Sequence, residues 1–171
     1  LSSVKSLSST VPLRLTLLLG VLLALLLPAV SWAADQLPIP RFVSLRSNEV
    51  NIRTGPGPRY PIEWVMTKQT LPVEILEEFE GWRRIRDWEG TQGWVHQSML
   101  SGRRTGLVTG SVRLLRRKAE DNAATVARLE PGVIGHLMEC RAGWCRMEIG
   151  GLRGWLRIDE FFGAYPKEAF D

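Results

Sequence analysis

After a long apolar opening, the hydrophobic positions of this chain fall into short alternating runs. Val73 and Ile75 lie two apart. Residues 82–86 (Trp82, Arg83, Arg84, Ile85, Arg86) continue with a period near two, the spacing of a half-buried strand. The runs are separated by turn-like clusters: 78–81, 89–93, Arg141-Ala142-Gly143 and Gly150-Gly151. Beyond Ala34 no stretch carries a long helical period with caps. Residues 121–129 come closest, and an internal repeat aligns them with non-helical sequence. The pattern predicts an all-β protein of short strands, of the kind that closes into small barrels.

The repeat is the strongest organising signal. In the first copy, Leu71-Pro72-Val73-Glu74-Ile75-Leu76 leads to Gly81-Trp82 and then to Gly93-Trp94-Val95. In the second, Val133-Ile134-Gly135-His136-Leu137-Met138 leads to Gly143-Trp144 and then to Gly154-Trp155-Leu156. The two Gly-Trp pairs are offset by 62 and 61 residues. Upstream, the alignment sets Val50-Asn51-Ile52 against Val112-Arg113-Leu114, and Val65 against Ala127. Each Gly-Trp pair is expected to be a tight turn that delivers a tryptophan into the barrel core. A unit of about 60 residues buries only some 60% of its unfolded surface. The copies are therefore expected to pack on each other or to carry extra fixings.

The opening third has a different character. Lys5 and Arg14 precede an apolar run over 15–30, followed by small residues at Ser31 and Ala33, which is the layout of a secretory signal peptide cleaved after Ala33. The run is shorter than the roughly 20 residues of a spanning helix, so no stable membrane span is expected after cleavage. The resulting organisation is a signal peptide (1–33), a Pro-containing linker (34–43), two domains (44–103 and 107–163) and a C-terminal tail (164–171). The expected location is periplasmic or secreted. The full chain has 22 basic and 18 acidic residues; removing Lys5 and Arg14 leaves a net charge of +2. So small a charge, spread along the chain, does not indicate a nucleic-acid partner. Cys140 and Cys145 are expected to form a disulfide, because an exported cysteine pair is oxidised by default.

Val50-Asn51-Ile52-Arg53-Thr54-Gly55-Pro56-Gly57, with Gly81-Trp82 and Gly93-Trp94-Val95 behind it, resembles the bacterial SH3 domain family. The first copy matches that pattern over about 43–100. The second matches over 127–161, but Arg117-Lys118-Ala119-Glu120-Asp121 replaces its Gly-Pro-Gly loop. The resemblance implies two tandem SH3-like β-barrels, each with a shallow aromatic groove near the long first loop. Such modules often direct cell-wall enzymes to their substrate. Independently of the family, Gly55 and Gly57 permit a positive φ, and Pro56, Pro58 and Pro61 stiffen the loop.

The residues that bear chemistry favour binding over catalysis. The groove candidates are Tyr60, Trp64 and Trp88, with Arg53, Arg59 and His96 as polar contacts; Trp82, Trp94, Trp144 and Trp155 are read as core. A Cys140–His136 nucleophile and base pair is the remote enzymatic alternative, and a disulfide would remove it. Glu74, Glu77, Glu78 and Glu80 are read as a solvated turn. No cofactor or metal site is expected, and a P-loop is excluded because the Gly-Pro-Gly segment lacks its Lys-Ser/Thr. The expected partner is a peptidoglycan fragment or its stem peptides. The alternative is an envelope protein presenting an extended or proline-containing segment to an assembly scaffold.

Overall fold

The computed structural model describes residues 37–171; the expected signal peptide lies outside them. Its regular structure is antiparallel β, apart from two short 3-10 turns at Gln97–Met99 and Ile158–Glu160. The first copy comprises β1 (Arg41–Leu45), β2 (Val50–Arg53), β3 (Ile62–Met66), β4 (Pro72–Phe79), β5 (Trp82–Arg86), β6 (Gln92–His96) and β7 (Leu100–Ser101). The second comprises β8 (Thr105–Val108), β9 (Arg113–Arg116), β10 (Thr125–Leu129), β11 (Ile134–Arg141), β12 (Trp144–Ile149), β13 (Leu152–Arg157) and β14 (Phe161–Phe162). The sheet orders are β3-β2-β6-β5-β4-β1-β7 and β10-β9-β13-β12-β11-β8-β14. They become identical when seven is added to each label of the first.

Each sheet rolls around its own aliphatic core. Residues from distant strands of the first sheet, including Val50 and Ile52 of β2 and Leu100 of β7, bury into a single cluster with Val73, Ile75, Ile85 and Val95. Leu115, Leu137, Met147, Leu156 and both cysteines form the second core. The expected disulfide is present between Cys140 and Cys145, which face each other across the β11–β12 hairpin. Ala142 and Gly143, both at positive φ (48° and 80°), form its turn.

The tryptophans do not fill these cores, and the reason is strand parity. Ile85 faces Gly93 across β5–β6, and Met147 faces Gly154 across β12–β13. Those glycines point inward, where a Cβ at Gly93 would sit 2.3 Å from Ile52 Cγ2 and one at Gly154 2.6 Å from Leu115 Cγ. The next residue in each strand, Trp94 or Trp155, must then point outward. Gly93 and Gly154 accordingly lie within strands and not in turns, and they serve close packing. Gly81 and Gly143 do occupy hairpin turns.

The register also revises the repeat alignment by one residue. Arg53 pairs with Trp94 as Arg116 pairs with Trp155, so the partner of Ile52 is Leu115 and not Leu114. A bulge follows in both copies, and Trp64, not Val65, corresponds to Ala127. A one-residue slip exchanges the faces of a strand, and it changes which copy owns which surface aromatic.

The copies pack on each other within one compact unit, 38–171. Leu107 of β8 is buried in the first core, and Ile134 packs against it. Phe42 meets Phe162 edge-on at 5.0 Å and Tyr165 at 4.7 Å; burying such a ring contributes about 2 kcal/mol. Across the same seam, Thr105 Oγ1 donates to Thr70 O (2.7 Å), Lys68 Nζ to Gly132 O (2.6 Å) and Tyr165 Oη to Glu74 Oε1 (2.8 Å). Burial, then the bond to Glu74, raises the Tyr165 pKa. Arg41–Val43, expected as linker, belong to β1 and pair with β4. The expected tail is likewise structured: Phe170 exchanges two backbone bonds with Cys140, and Glu168 forms a 2.5 Å ion pair with Arg104. Burial works against the Glu168 charge, but bonds from Arg104 and the Tyr165 N–H hold its pKa below the usual carboxylate range.

Candidate functional site

The six groove candidates fall in three places. Tyr60 lies over the Gly-Pro-Gly loop so closely that a Cβ on Gly55 would come within 2.4 Å of its ring. Close approach, not a positive φ, is what Gly55 supplies; neither it nor Gly57 is among the positive-φ glycines. Arg53 holds the same loop by donating to Pro58 O (3.2 Å) and Tyr60 O (2.7 Å). Arg59 stacks over the Tyr60 ring at 5.2 Å. These three residues brace the loop. His96 caps the turn at Gln97–Met99, its Nδ1 accepting from Ser98 N at 3.3 Å, and its ring meets Trp82 edge-on.

Trp64 and Trp88 do come together. They line a cleft of about 410 Å³ beside Met66, Lys68, Asp87 and Glu89, a volume within the range of small-ligand sites, roughly 300–1,000 Å³. Trp64 is 56% exposed and Trp88 41%. Trp64 projects from β3, an outer strand whose residues Ile62 to Val65 are all exposed. Trp88 projects from the loop between β5 and β6, where Asp87 Oδ1 accepts from Glu89 N (2.9 Å) and Thr91 N (2.8 Å). A second hollow of about 180 Å³ adjoins the cleft, sharing Lys68, Leu71 and Trp88 and reaching Pro131 and Gly132 of the second copy.

The second copy lacks the residues that frame this cleft. Ala127 stands in place of Trp64, and Gly150-Gly151 replaces the five-residue loop that carries Trp88. Its outward tryptophans are buried at 7% exposure beneath guanidinium groups. Arg116 and Arg157 lie over Trp144 at 5.4 and 4.8 Å, and Arg141 lies over Trp155 at 4.8 Å. Of the acidic run of the first copy, only Glu80 lies exposed in the hairpin turn. Glu74, Glu77 and Glu78 each pair across the hairpin with Arg86, Arg84 and Arg83. Both cysteines are bridged and His136 Nδ1 contacts Arg104 O at 2.9 Å, so Cys140 is not available as a nucleophile.

Asp87, Glu89 and Lys68 were not singled out from sequence. The signal for Asp87 was present in Asp87-Trp88-Glu89-Gly90, where an aspartate opens a turn that closes on glycine. What the sequence lacked was the position of Trp64 beside that turn.

Two tandem β-barrels, with a disulfide in the second and an aromatic cleft on the first, define a small β-barrel module of the SH3 type. The bacterial SH3 domain pattern matches residues 46–102 and 112–163, and the chain belongs to that family. A putative N-acetylmuramoyl-L-alanine amidase of Bacillus subtilis is 23% identical over 126 residues, 63% of this chain. The chain spans only 24% of that relative's length. Among solved structures, NlpC1 from Trichomonas vaginalis aligns over 77% of this chain and 49% of its own, at 13% identity and a TM-score of 0.35. An NlpC/P60 family protein from Bacillus cereus aligns over 74% and 57%, at 12% identity and a TM-score of 0.32.

Proposed function

We propose that this chain is a non-catalytic binding module of the bacterial cell envelope, and that its first barrel recognises peptidoglycan or its stem peptides through the Trp64–Trp88 cleft. The observation that carries this reading is the pair of exposed tryptophans lining one cleft in a small barrel whose other large apolar groups are mostly covered. Indole faces suit sugar rings and peptide side chains alike. Membership of the bacterial SH3 family and the amidase named among its relatives support a wall-derived ligand. The proposed location, periplasmic or secreted, follows from the same ligand. The test is co-sedimentation of the purified protein with peptidoglycan. Wild type is expected to pellet with the wall, and the Trp64→Ala/Trp88→Ala double variant to stay in solution. Full recovery of wild type in the unbound fraction would sink the proposal.

A second reading is an assembly scaffold that takes an extended partner segment. It is favoured by the β3 edge, where Ile62, Trp64 and Val65 are all exposed, since strand addition uses such edges. Site-specific crosslinking from position 62 in cells would yield a protein adduct under this reading, and none above background if the wall is the sole ligand.

A further inference from the structure

We infer that the Trp64–Trp88 cleft is a receptor for an alkyl-ammonium group, presented by a free side-chain amine of a wall peptide. This deepens the wall-binding reading and rests on it for the source of the ligand.

Among the described residues three carboxylates are buried: Glu74, Asp87 and Glu160, at 3, 5 and 8% exposure. Glu74 has Arg86 at 2.5 Å and Glu160 has Arg116 at 3.2 Å. Asp87 alone of the three forms no ion pair. Its Oδ1 is occupied by the N–H groups of Glu89 and Thr91, while Oδ2 accepts no hydrogen bond. That second oxygen is not among the buried atoms without a partner, so it is open to solvent on the cleft that Asp87 lines, where an entering cation could reach it. Glu89, on the same rim, is exposed and also without an ion pair. The lysine lining the cleft does not neutralise them, because Lys68 Nζ is turned to Gly132 O at 2.6 Å.

Two unpaired carboxylates and two exposed indoles are complementary to a cation that is partly apolar. The ring faces attract a positive charge, and the alkyl stem covers indole surface. The single vacant oxygen of Asp87 distinguishes between cations. A guanidinium seeks two parallel acceptors, whereas an ammonium is a compact charge that is satisfied by one oxygen and a ring face.

Two measurements test this and separate its failure from that of the wall-binding proposal. The first compares retention of wild type on native peptidoglycan with retention on the same peptidoglycan after its amines are acetylated. Acetylation is expected to weaken retention about tenfold, as loss of one charged contact does. Equal retention on both overturns the ammonium inference and leaves wall binding standing. The second titrates tryptophan fluorescence with Nα-acetyl-lysine amide and with its Nε-acetylated form. The free amine is expected to bind with a Kd of about 1 mM and the acetylated form not to bind. Glu89→Gln, at an exposed position, and Trp88→Ala should each weaken the free amine several-fold. Asp87→Asn keeps the Oδ1 acceptor and should abolish binding while the protein stays folded by circular dichroism. Equal responses to the two probes, or none to either, overturn the inference. Binding of the free amine without wall retention would overturn the wall proposal alone.

Discussion

The two barrels share one strand order and yet present opposite surfaces. In the first copy, cross-strand carboxylate–guanidinium pairs cover the β4–β5 hairpin, with Arg83 Nε 2.9 Å from Glu78 Oε1 at its end. In the second, the positions matching Glu78 and Arg83 are Cys140 and Cys145, and a covalent bridge replaces the ion pair. The outward tryptophans of the second copy are roofed by arginines, while Trp64 and Trp88 of the first stand open. The lesson is that duplication kept the strand order and the inward glycines with the aliphatic groups packed on them, and changed the hairpin end and the outward faces. One barrel became the braced partner, and the other keeps an accessible cleft.

The sharpest way to break the comparison is to attack what the copies have in common. Gly93→Ala and Gly154→Ala each place a methyl group where Ile52 or Leu115 already sits, 2.3 and 2.6 Å from the nearest carbon. Each is expected to cost about 3 kcal/mol, since overpacking a closed core moves side chains and backbone together. Chemical denaturation should show a similar loss for both. A loss confined to one would mean that the two cores are not equivalent.

Next in size is the exchange of bridge for ion pair. The Cys140→Ser/Cys145→Ser variant should lose about 2 kcal/mol, below the ~3 kcal/mol estimated for a longer, 15-residue loop. Disrupting the matching pair with Glu78→Gln should cost about 1 kcal/mol, because those side chains are only partly covered. Comparable losses would remove the distinction between a covalently fixed copy and an electrostatically fixed one.

The seam between the copies gives a pH-dependent effect of about 1 kcal/mol or less. Glu168 has its pKa lowered from 4.5 in the folded state, chiefly by Arg104 against the opposing effect of burial. A depressed carboxylate adds stability above its unfolded pKa and loses it as pH falls through the folded value. Thermal melts of wild type should therefore weaken below about pH 4.5, and Glu168→Gln should flatten that part of the profile. The smallest effect is expected at Trp64→Ala, within about 0.5 kcal/mol of wild type, against a large loss for the buried Trp155→Ala on β13, two strands in from the matching edge. Equal losses at the two would show that Trp64 is structural.

How much was legible can be traced to particular residues. The repeat of Gly81-Trp82 and Gly143-Trp144, and the alternation around Val73 and Ile85, contained the tandem all-β fold. Trp64 and Trp88 were recognisable as surface aromatics. The roles of Tyr60, Arg53 and Arg59 were not, because loop residues near an aromatic groove and loop residues that brace it have the same composition. Asp87 was hidden for a related reason: its turn is readable, but its lack of a cation is a fact about neighbours distant in the chain.

By itself the sequence determined the element types, the duplication and the disulfide partners, all of which depend on local spacing or on a pair of cysteines close in the chain. The tertiary structure decided which side of each strand is inside. Alternation along β6 permits either Gly93 or Trp94 to face the core. Only Ile52, packed from a strand some forty residues away, excludes the tryptophan and turns it outward. The same kind of long-range register placed Trp64 of β3 beside the Asp87–Thr91 loop, and so framed in one copy a cleft whose two tryptophans the repeat does not carry.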